Sequence, residues 1–178
     1  MTAIPVARRF GLALASVALA AFLFRTNVAA ALVTRGDDVL RAGDLDGAVR
    51  SYRRAVWLDQ RSSVAVDRLA FALLTRRRAG DAASAYQAAD LALRSVPGDP
   101  ALLADRAFAA QRLARRRSAE RDFASAARTG RDPRYAHLAA RIALQRRDRR
   151  TARAHLAAAL AIDGAYAPAR VLLERLSR

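Results

Sequence analysis

The sequence predicts an all-α fold, in which about four helical hairpins stack into a solenoid behind one apolar N-terminal helix and end in a capping helix. Two observations lead to this prediction. Ala, Leu and Arg dominate the 178 residues, while Gly (8) and Pro (5) are too scarce for the many turns of a β-sandwich. Small and bulky residues also recur with a period of about 34 residues from residue 29 onward, as in helical repeats.

The N-terminal segment combines basic residues with a long apolar run. Arg8 and Arg9 precede fifteen uninterrupted apolar residues, Phe10 to Phe24. Fifteen helical residues cover only about two thirds of a hydrocarbon core of roughly 30 Å. Reading on through residues 28–33 gives enough length, and Arg25 can extend its head group to the interface. We therefore expect a basic tail over residues 1–9 and a transmembrane or signal-anchor helix over residues 10–28.

Two alternatives for this segment stay open. A cleaved signal peptide has the same order of a basic start, an apolar run and a small-residue site such as residues 29–31. A buried core helix would also be apolar. Membrane orientation is weakly specified, because the arginines on the two sides of the run nearly cancel. The short N-terminal tail favours export of the following domain to the periplasmic or extracytoplasmic side.

Four columns of residues repeat after residue 29 at intervals of 34, 37 and 33. They are the small residues Gly36, Ala70, Ala107 and Ala140, the small residues Ala48, Ala82, Ala119 and Ala152, the bulky residues Tyr52, Tyr86, Phe123 and Leu156, and a last column of Ala55, Ala89, Ala126 and Ala159. Helices approach closely only where neither presents bulk. We therefore expect Gly36 to face Ala48, with Tyr52 filling the space beside them.

The columns resemble the tetratricopeptide repeat, a helix-turn-helix unit of about 34 residues with the pattern W-x2-L-G-x2-Y, then A-x3-F, then P. Ala48-x3-Tyr52, Ala82-x3-Tyr86 and Ala119-x3-Phe123 match its second half. The first half lacks the Trp, and Pro100 and Pro133 fall at junctions between units. The resemblance implies a right-handed solenoid over residues 29–178, with repeats at 29–62, 63–99, 100–132 and 133–166 and a cap at 167–178.

The inventory of chemically reactive residues is small. The chain has two histidines and no cysteine, and it lacks a glycine-rich phosphate loop. The acidic residues at 37–38 and 44–46 are not followed by the further ligands of a calcium loop. We therefore expect no enzymatic activity, no cofactor and no metal site.

The resemblance instead implies binding of a protein or peptide partner, because the first helices of such hairpins line a concave groove. It assigns eight residues to that groove: Asp67, Phe71, Phe108, Gln111, Arg112, His137, Arg141 and Gln145. Packing between helices would explain Phe71 and Phe108 equally well. The family's carboxylate clamp uses Lys and Asn, whereas this chain has no Lys and only Asn27. The leading prediction is a membrane-tethered interaction scaffold that recruits or assembles an envelope complex.

Charge suggests a second reading. The net charge is +16, and all 32 basic residues are Arg. Such a field attracts anionic partners, although an arginine-biased composition would produce it without selection for binding. Three clusters at one turn of successive repeats predict an arginine edge: Arg76, Arg77, Arg78, Arg115, Arg116, Arg117, Arg146, Arg147, Arg149 and Arg150. This edge would bind anionic lipid or nucleic acid. Nucleic acid is less favoured, because no aromatic platform for bases is present.

Overall fold

A computed structural model of the chain describes residues 6–177, with side chains from residue 15 onward. This part of the chain consists of helices joined by short turns. The helices are α1 Val6–Arg41, α2 Leu45–Leu58, α3 Ser63–Arg76, α4 Asp81–Ser95, α5 Pro100–Arg112, α6 Arg116–Gly130, α7 Pro133–Gln145, α8 Arg149–Ile162 and α9 Ala167–Ser177.

The helices pack as sequential hairpins. α1 packs on α2, α3 on α4, α5 on α6 and α7 on α8, and each hairpin also contacts the next. The first helices α3 and α5 touch each other directly, and α9 packs on α8 at the end of the stack. The prediction of an all-α stack of four hairpins with a C-terminal cap is therefore confirmed. Each hairpin buries its apolar faces only through its neighbours, as expected for a solenoid.

The repeated columns form the core of this stack. Every member of the first small column is buried, and so is every member of the last alanine column. Tyr52, Phe123 and Leu156 are fully buried in the bulky column, whereas Tyr86 is half-buried. Ala82 is likewise the half-buried member of the second small column. Residues that repeat in sequence thus take equivalent core positions in successive hairpins.

Tyr52 packs against the glycine of α1, as the repeated columns predict. The Tyr52 ring lies on Gly36, and a Cβ atom built on Gly36 would be 2.7 Å from Tyr52 Cδ1. The Tyr52 hydroxyl donates a hydrogen bond of 2.6 Å to Asp37 Oδ1, which anchors the ring across α1. The glycine is therefore needed here to make room for the ring.

Local sequence fixes where the hairpins begin. The Asp-Pro pairs at 99–100 and 132–133 each place an acceptor before a helix and a proline in its first turn. Asp99 Oδ1 accepts hydrogen bonds from the N–H groups of Ala101 (2.9 Å) and Leu102 (3.2 Å). Asp132 Oδ1 accepts one from the Arg134 N–H at 2.9 Å. These caps terminate the loops between repeats and start the helices that line the groove described below.

Helix α1 joins two segments that the sequence analysis treated separately. It runs without a break from Val6 to Arg41, through the expected boundary at residues 28–29. Packing against the solenoid begins near that boundary, since Ala29 is only 2% exposed. Just before it, Arg25 Nη2 donates a hydrogen bond of 2.7 Å to the carbonyl oxygen of Leu58, at the end of α2. Residues 1–5 of the predicted basic tail lie outside the described residues.

The part of α1 that precedes the solenoid has an exposed apolar surface. Residues 15–25 are all exposed, including Val17 (68%), Phe22 (61%) and Phe24 (70%). The segment Ala15–Arg41 is long enough to cross a membrane, and its most apolar stretch of 18 residues has a mean hydropathy of 1.7. A helix buried in the core of the domain, one of the alternatives above, is incompatible with this exposure. The remaining alternatives are an anchor and a signal segment.

Candidate functional site: a groove and an arginine edge

A concave surface lies between the first helices of the second and third hairpins. Side chains of α3 and α5 form its walls, and Tyr135 of α7 also lines it, around a volume of about 1100 Å³. Asp67, Phe71, Phe108, Gln111 and Arg112, five of the eight predicted groove residues, line it. Residues that the sequence analysis did not name also line it, among them Arg68, Leu74, Thr75, Ala101, Ala104 and Asp105.

The other three predicted residues line a different cavity. His137, Arg141 and Gln145 of α7 face Pro168 and Val171 of α9 around about 580 Å³. The His137 ring lies edge-on to Tyr166, at 6.0 Å between ring centroids. Burial and the nearby Arg141 lower the pKa of His137, so its imidazole is neutral at pH 7. The predicted groove is therefore divided into a large cavity between α3 and α5 and a smaller, more apolar one under α9.

Two phenylalanines form the aromatic part of the large groove. Phe71 of α3 is 51% exposed and Phe108 of α5 is 38% exposed. Phe108 also packs edge-on against the buried Phe123, with 4.8 Å between ring centroids, and Phe123 stacks on Tyr135 at 6.2 Å. Phe108 thus combines packing between helices with exposure to the groove, because one edge of its ring packs in the core and the rest faces the groove. A ring held in this way presents apolar surface at a small entropic cost.

The groove has an acidic floor. Asp105 is 8% exposed, and its Oδ2 atom has no hydrogen-bond partner among the described residues. Burial raises the pKa of Asp105 to about 8, with further contributions from the Asp67 and Asp99 carboxylates. Burial also raises the pKa of Asp67. Sequence reasoning missed Asp105, although an acid within the buried run of α5 was a signal that apolar periodicity could have found.

Arginines at the rim are engaged elsewhere. Arg68 Nε lies 3.5 Å from Asp37 Oδ1, and Arg68 Nη1 lies 4.0 Å from Asp67 Oδ2. Arg112 Nη2 donates a hydrogen bond of 3.3 Å to the carbonyl oxygen of Leu74. The rim of the groove thus carries arginines. Its other lining residues include the buried acid Asp105 and the two phenylalanines.

The arginine edge is only partly available for binding. The three clusters do fall at equivalent turns within successive hairpins. Arg76, however, pairs with Asp81 at 2.6 Å and with Asp46 at 2.9 Å, and its side chain is only 14% exposed. Arg146 pairs with the buried Glu120. These two arginines connect neighbouring hairpins and are not exposed at the edge.

The remaining members of the edge are nearer to solvent. Arg78 is exposed, although it pairs with Asp46 at 2.6 Å. The Arg115 guanidinium lies over the Tyr86 ring, 4.9 Å from its centroid. The other members are exposed at the turns or first residues of helices: Arg77, Arg116, Arg117, Arg147, Arg149 and Arg150. Arg77 also lines the large groove, so the edge and the groove meet at that residue.

The edge and the apolar end of α1 lie on opposite sides of the solenoid. Arg41 ends α1 at the turn of the first hairpin, which corresponds to the arginine-bearing turns of the next three. The loops between hairpins lie at the other side, since Arg25 and Phe22 share a cavity with Asp59, Leu91 and Arg94. Sixteen helical residues separate Arg25 from Arg41, which is about 24 Å.

Comparison with known proteins places the chain by its fold. No known family's sequence profile matches it, and no curated protein matches it. Solved structures do. MamA residues 41 to the end, from Desulfovibrio magneticus, shares 15% identity at a TM-score of 0.66 over 79% of this chain and 78% of that one. Pseudomonas aeruginosa pilF shares 19% sequence identity at a TM-score of 0.67, over 85% of this chain and 68% of that one. A tetratricopeptide repeat protein from Parabacteroides merdae shares 18% sequence identity at a TM-score of 0.67, over 85% of this chain and 60% of that one.

Proposed function

Because this chain has the tetratricopeptide-repeat fold, we propose that it is a membrane-tethered scaffold that binds a peptide or a segment of a partner protein in the groove between α3 and α5. The observation that carries this proposal is the exposure of Phe71 and Phe108 on adjacent first helices, facing one cavity of about 1100 Å³. Exposed aromatic side chains beside a concave surface are typical of interaction sites. In this proposal the partner belongs to a membrane-associated complex of the cell envelope.

The groove suits a polypeptide better than a small substrate. It is open and elongated between two helices, and its aromatic residues are accompanied by polar groups such as Gln111, Thr75 and Arg68. Within residues 15–177 no group of three His, Cys, Asp or Glu residues could hold a metal ion. The two histidines lie at separate places. His137 lies under α9, and His155 Nε2 lies 3.3 Å from Glu120 Oε1. This arrangement supports binding without catalysis.

The tether rests on the exposed apolar part of α1. A surface of this kind is covered by a bilayer or removed as a signal segment. Retention is favoured because the candidate cleavage site at residues 29–31 lies within α1, and Ala29 is packed against the domain. Cleavage there would also remove Arg25 and its hydrogen bond to Leu58. We place the solenoid on the exported side of the membrane.

Photo-crosslinking tests the binding proposal directly. A p-benzoylphenylalanine at position 71 should crosslink a discrete partner in intact cells, because Phe71 faces the groove. The same group at Gln87, an exposed position on the second helix α4, is the control and should give little or none of this product. Equal crosslinking at both positions, or none at Phe71, would contradict the groove as the binding site. The intact mass of the membrane-extracted chain tests the tether, since a loss of about thirty residues would establish a cleaved signal.

The second candidate function is binding of an anionic partner at the arginine edge. The supporting observation is that eight arginines of the edge are exposed at equivalent turns of three hairpins. Their position constrains the partner. A tether at the opposite side keeps the edge about 24 Å from the end of the apolar segment, so the head groups of the anchoring bilayer are out of reach. An acidic protein, nucleic acid or a second membrane fits this geometry better.

A further inference from the structure

Asp105 is a buried carboxyl group for which the described part of the chain supplies no counter-ion. Its Oδ2 atom is buried without a hydrogen-bond partner among residues 15–177, and the residue is only 8% exposed on the floor of the groove. Burial of an unpartnered carboxyl group costs stability, and such groups are rare in native proteins. An arrangement that costs stability in the unbound protein, and that lies within a binding groove, suggests that a ligand completes it.

The surrounding cations do not complete it, although the chain holds 32 arginines. Arg106, the next residue along α5, turns away from the groove and binds Asp122 with two hydrogen bonds of 2.8 Å and Asp90 with one of 2.6 Å. Arg68 contacts Asp37 and Asp67, and Arg112 contacts a carbonyl oxygen. Arg77 also lines the groove, but no arginine of residues 15–177 pairs with Asp105, which is left for a group from outside the chain.

The other groups lining the groove are those that bind cations. Phe71 and Phe108 expose ring surface on either wall, and the faces of aromatic rings attract ammonium and guanidinium groups. Asp67 adds a second carboxylate to the same groove. A guanidinium or ammonium group with an aliphatic stem would place its charge at the carboxyl groups and its methylene groups against the rings.

We infer that the floor of the groove receives a basic side chain, arginine or lysine, of the partner protein, with Asp105 as the buried anion and the two phenylalanines around the stem. This inference rests on the proposed function and specifies its ligand. The raised pKa of Asp105 is consistent with it, because a bound cation would replace the proton that the buried carboxyl group otherwise holds.

A pair of isosteric probes tests the inference. The intact chain in detergent micelles, carrying 4-fluorophenylalanine, is titrated at pH 8 with N-acetyl-arginine-N-methylamide or with the citrulline analogue. The citrulline compound has the same shape and no charge. We expect the arginine probe to shift the ¹⁹F resonances of Phe71 and Phe108 and to bind about tenfold or more tightly than the citrulline probe, as hydrogen bonds between charged groups are the stronger ones.

Two variants separate charge at the floor from the charge of the whole molecule. Asp105→Asn keeps the shape and the hydrogen-bonding capacity of the side chain and should reduce arginine binding to the citrulline level. Glu174→Gln removes the same charge from an exposed position on α9 and should leave the preference for arginine unchanged. If Asp105→Asn still prefers arginine, or if the unmodified chain binds both probes equally, the inference is overturned.

The probe titration and the crosslinking at Phe71 can succeed or fail separately. Crosslinking of a partner at Phe71, together with equal binding of the two probes, would leave the scaffold function in place and refute the basic side chain. Arginine-selective binding without any crosslinked partner would support a site for a basic side chain and refute the scaffold function. A chain that shows neither behaviour would refute both.

Discussion

The ring of Tyr52 occupies the space that a side chain on Gly36 would need, and this contact joins α1 to the first hairpin of the solenoid. A Cβ atom on Gly36 would lie 2.7 Å from Tyr52 Cδ1 and 2.9 Å from Cζ. Both residues are buried, and the Tyr52 hydroxyl is fixed by Asp37, so the ring cannot withdraw without loss of its hydrogen bond. The helix that precedes the domain is therefore also part of its first hairpin.

The first prediction concerns this contact. Gly36→Ala should destabilise the protein by roughly 1–2 kcal/mol, because overpacking costs about 1–3 kcal/mol and the higher helix propensity of alanine offsets part of it. Thermal unfolding of the intact chain in mild detergent, followed by circular dichroism, measures the effect. Gly164→Ala is the control, since a Cβ atom there would meet only the Leu160 carbonyl oxygen at an ordinary 3.8 Å. A midpoint unchanged in both variants would mean that Tyr52 has room to move.

The second prediction concerns Asp105 and pH. The folded-state pKa of Asp105, about 8, lies above the ordinary value of 3.8, so the fold favours the protonated acid. The contribution of protonated Asp105 to the free energy of unfolding is fully present below about pH 4 and is lost as the pH rises through 8. Asp105→Asn cannot ionise, so it should be more stable than the unmodified chain at pH 8, by on the order of 5 kcal/mol, with little difference near pH 4.

Chemical denaturation of both proteins at several pH values tests this second prediction. Asp67 and Tyr135 titrate in both proteins and largely cancel in the difference. A difference between the two proteins that stays constant from pH 4 to pH 8 would show that Asp105 does not titrate between these limits. Higher stability combined with lost arginine selectivity would identify a residue retained for binding rather than for folding.

The third prediction concerns the ion pairs between hairpins. Arg106 of α5 reaches both Asp90 of α4 and Asp122 of α6, and Asp122 is only 7% exposed. Arg106→Met should destabilise the protein by about 2–4 kcal/mol, because it leaves a buried carboxylate without its partner. Arg134→Met breaks the exposed pair with Asp132 and should cost less than about 1 kcal/mol. Equal losses in the two variants, measured by denaturant unfolding, would refute a special role for Arg106.

The fourth prediction concerns the arginine edge. Replacement of Arg116, Arg117 and Arg147 with Gln removes three exposed charges and should change stability by less than about 0.5 kcal/mol per site. If the edge binds anions, the triple variant should bind heparin or acidic vesicles more weakly and with a shallower salt dependence. Replacement of three exposed arginines at the opposite side of the solenoid, Arg61, Arg128 and Arg131, gives the matched control. Identical salt titrations for the two variants would rule out a specific edge.

The repeat architecture could be predicted from sequence because its contacts are short in range and periodic. The columns through Tyr52, Phe123 and Leu156 report packing that each hairpin repeats with its neighbours, so their spacing alone sets the register. The contact of Tyr52 with Gly36 follows the predicted filling of the space beside the glycine, whereas the facing of Gly36 and Ala48 stays a prediction.

The sites were less predictable, because they depend on contacts between hairpins. Sequence does not distinguish Arg76 from Arg77, yet Asp46 from another hairpin pairs with the first, while the second begins the turn in a left-handed conformation. Asp105 was missed for a related reason. Its position in the apolar run of α5 indicates burial, but its place in a groove depends on side chains from α3 and α7, which no local pattern records.

The central claim is that a partner occupies the groove between α3 and α5, and blocking the groove tests it most directly. Ala101 is exposed at the groove, so Ala101→Trp should fill part of the cavity without disturbing the core. In cells that carry the crosslinker at Phe71, this variant should lose most of the crosslinked partner, whereas Gln87→Trp on α4 should retain it. Undiminished crosslinking with Ala101→Trp, in a chain that keeps its helicity and its membrane association, would contradict the claim.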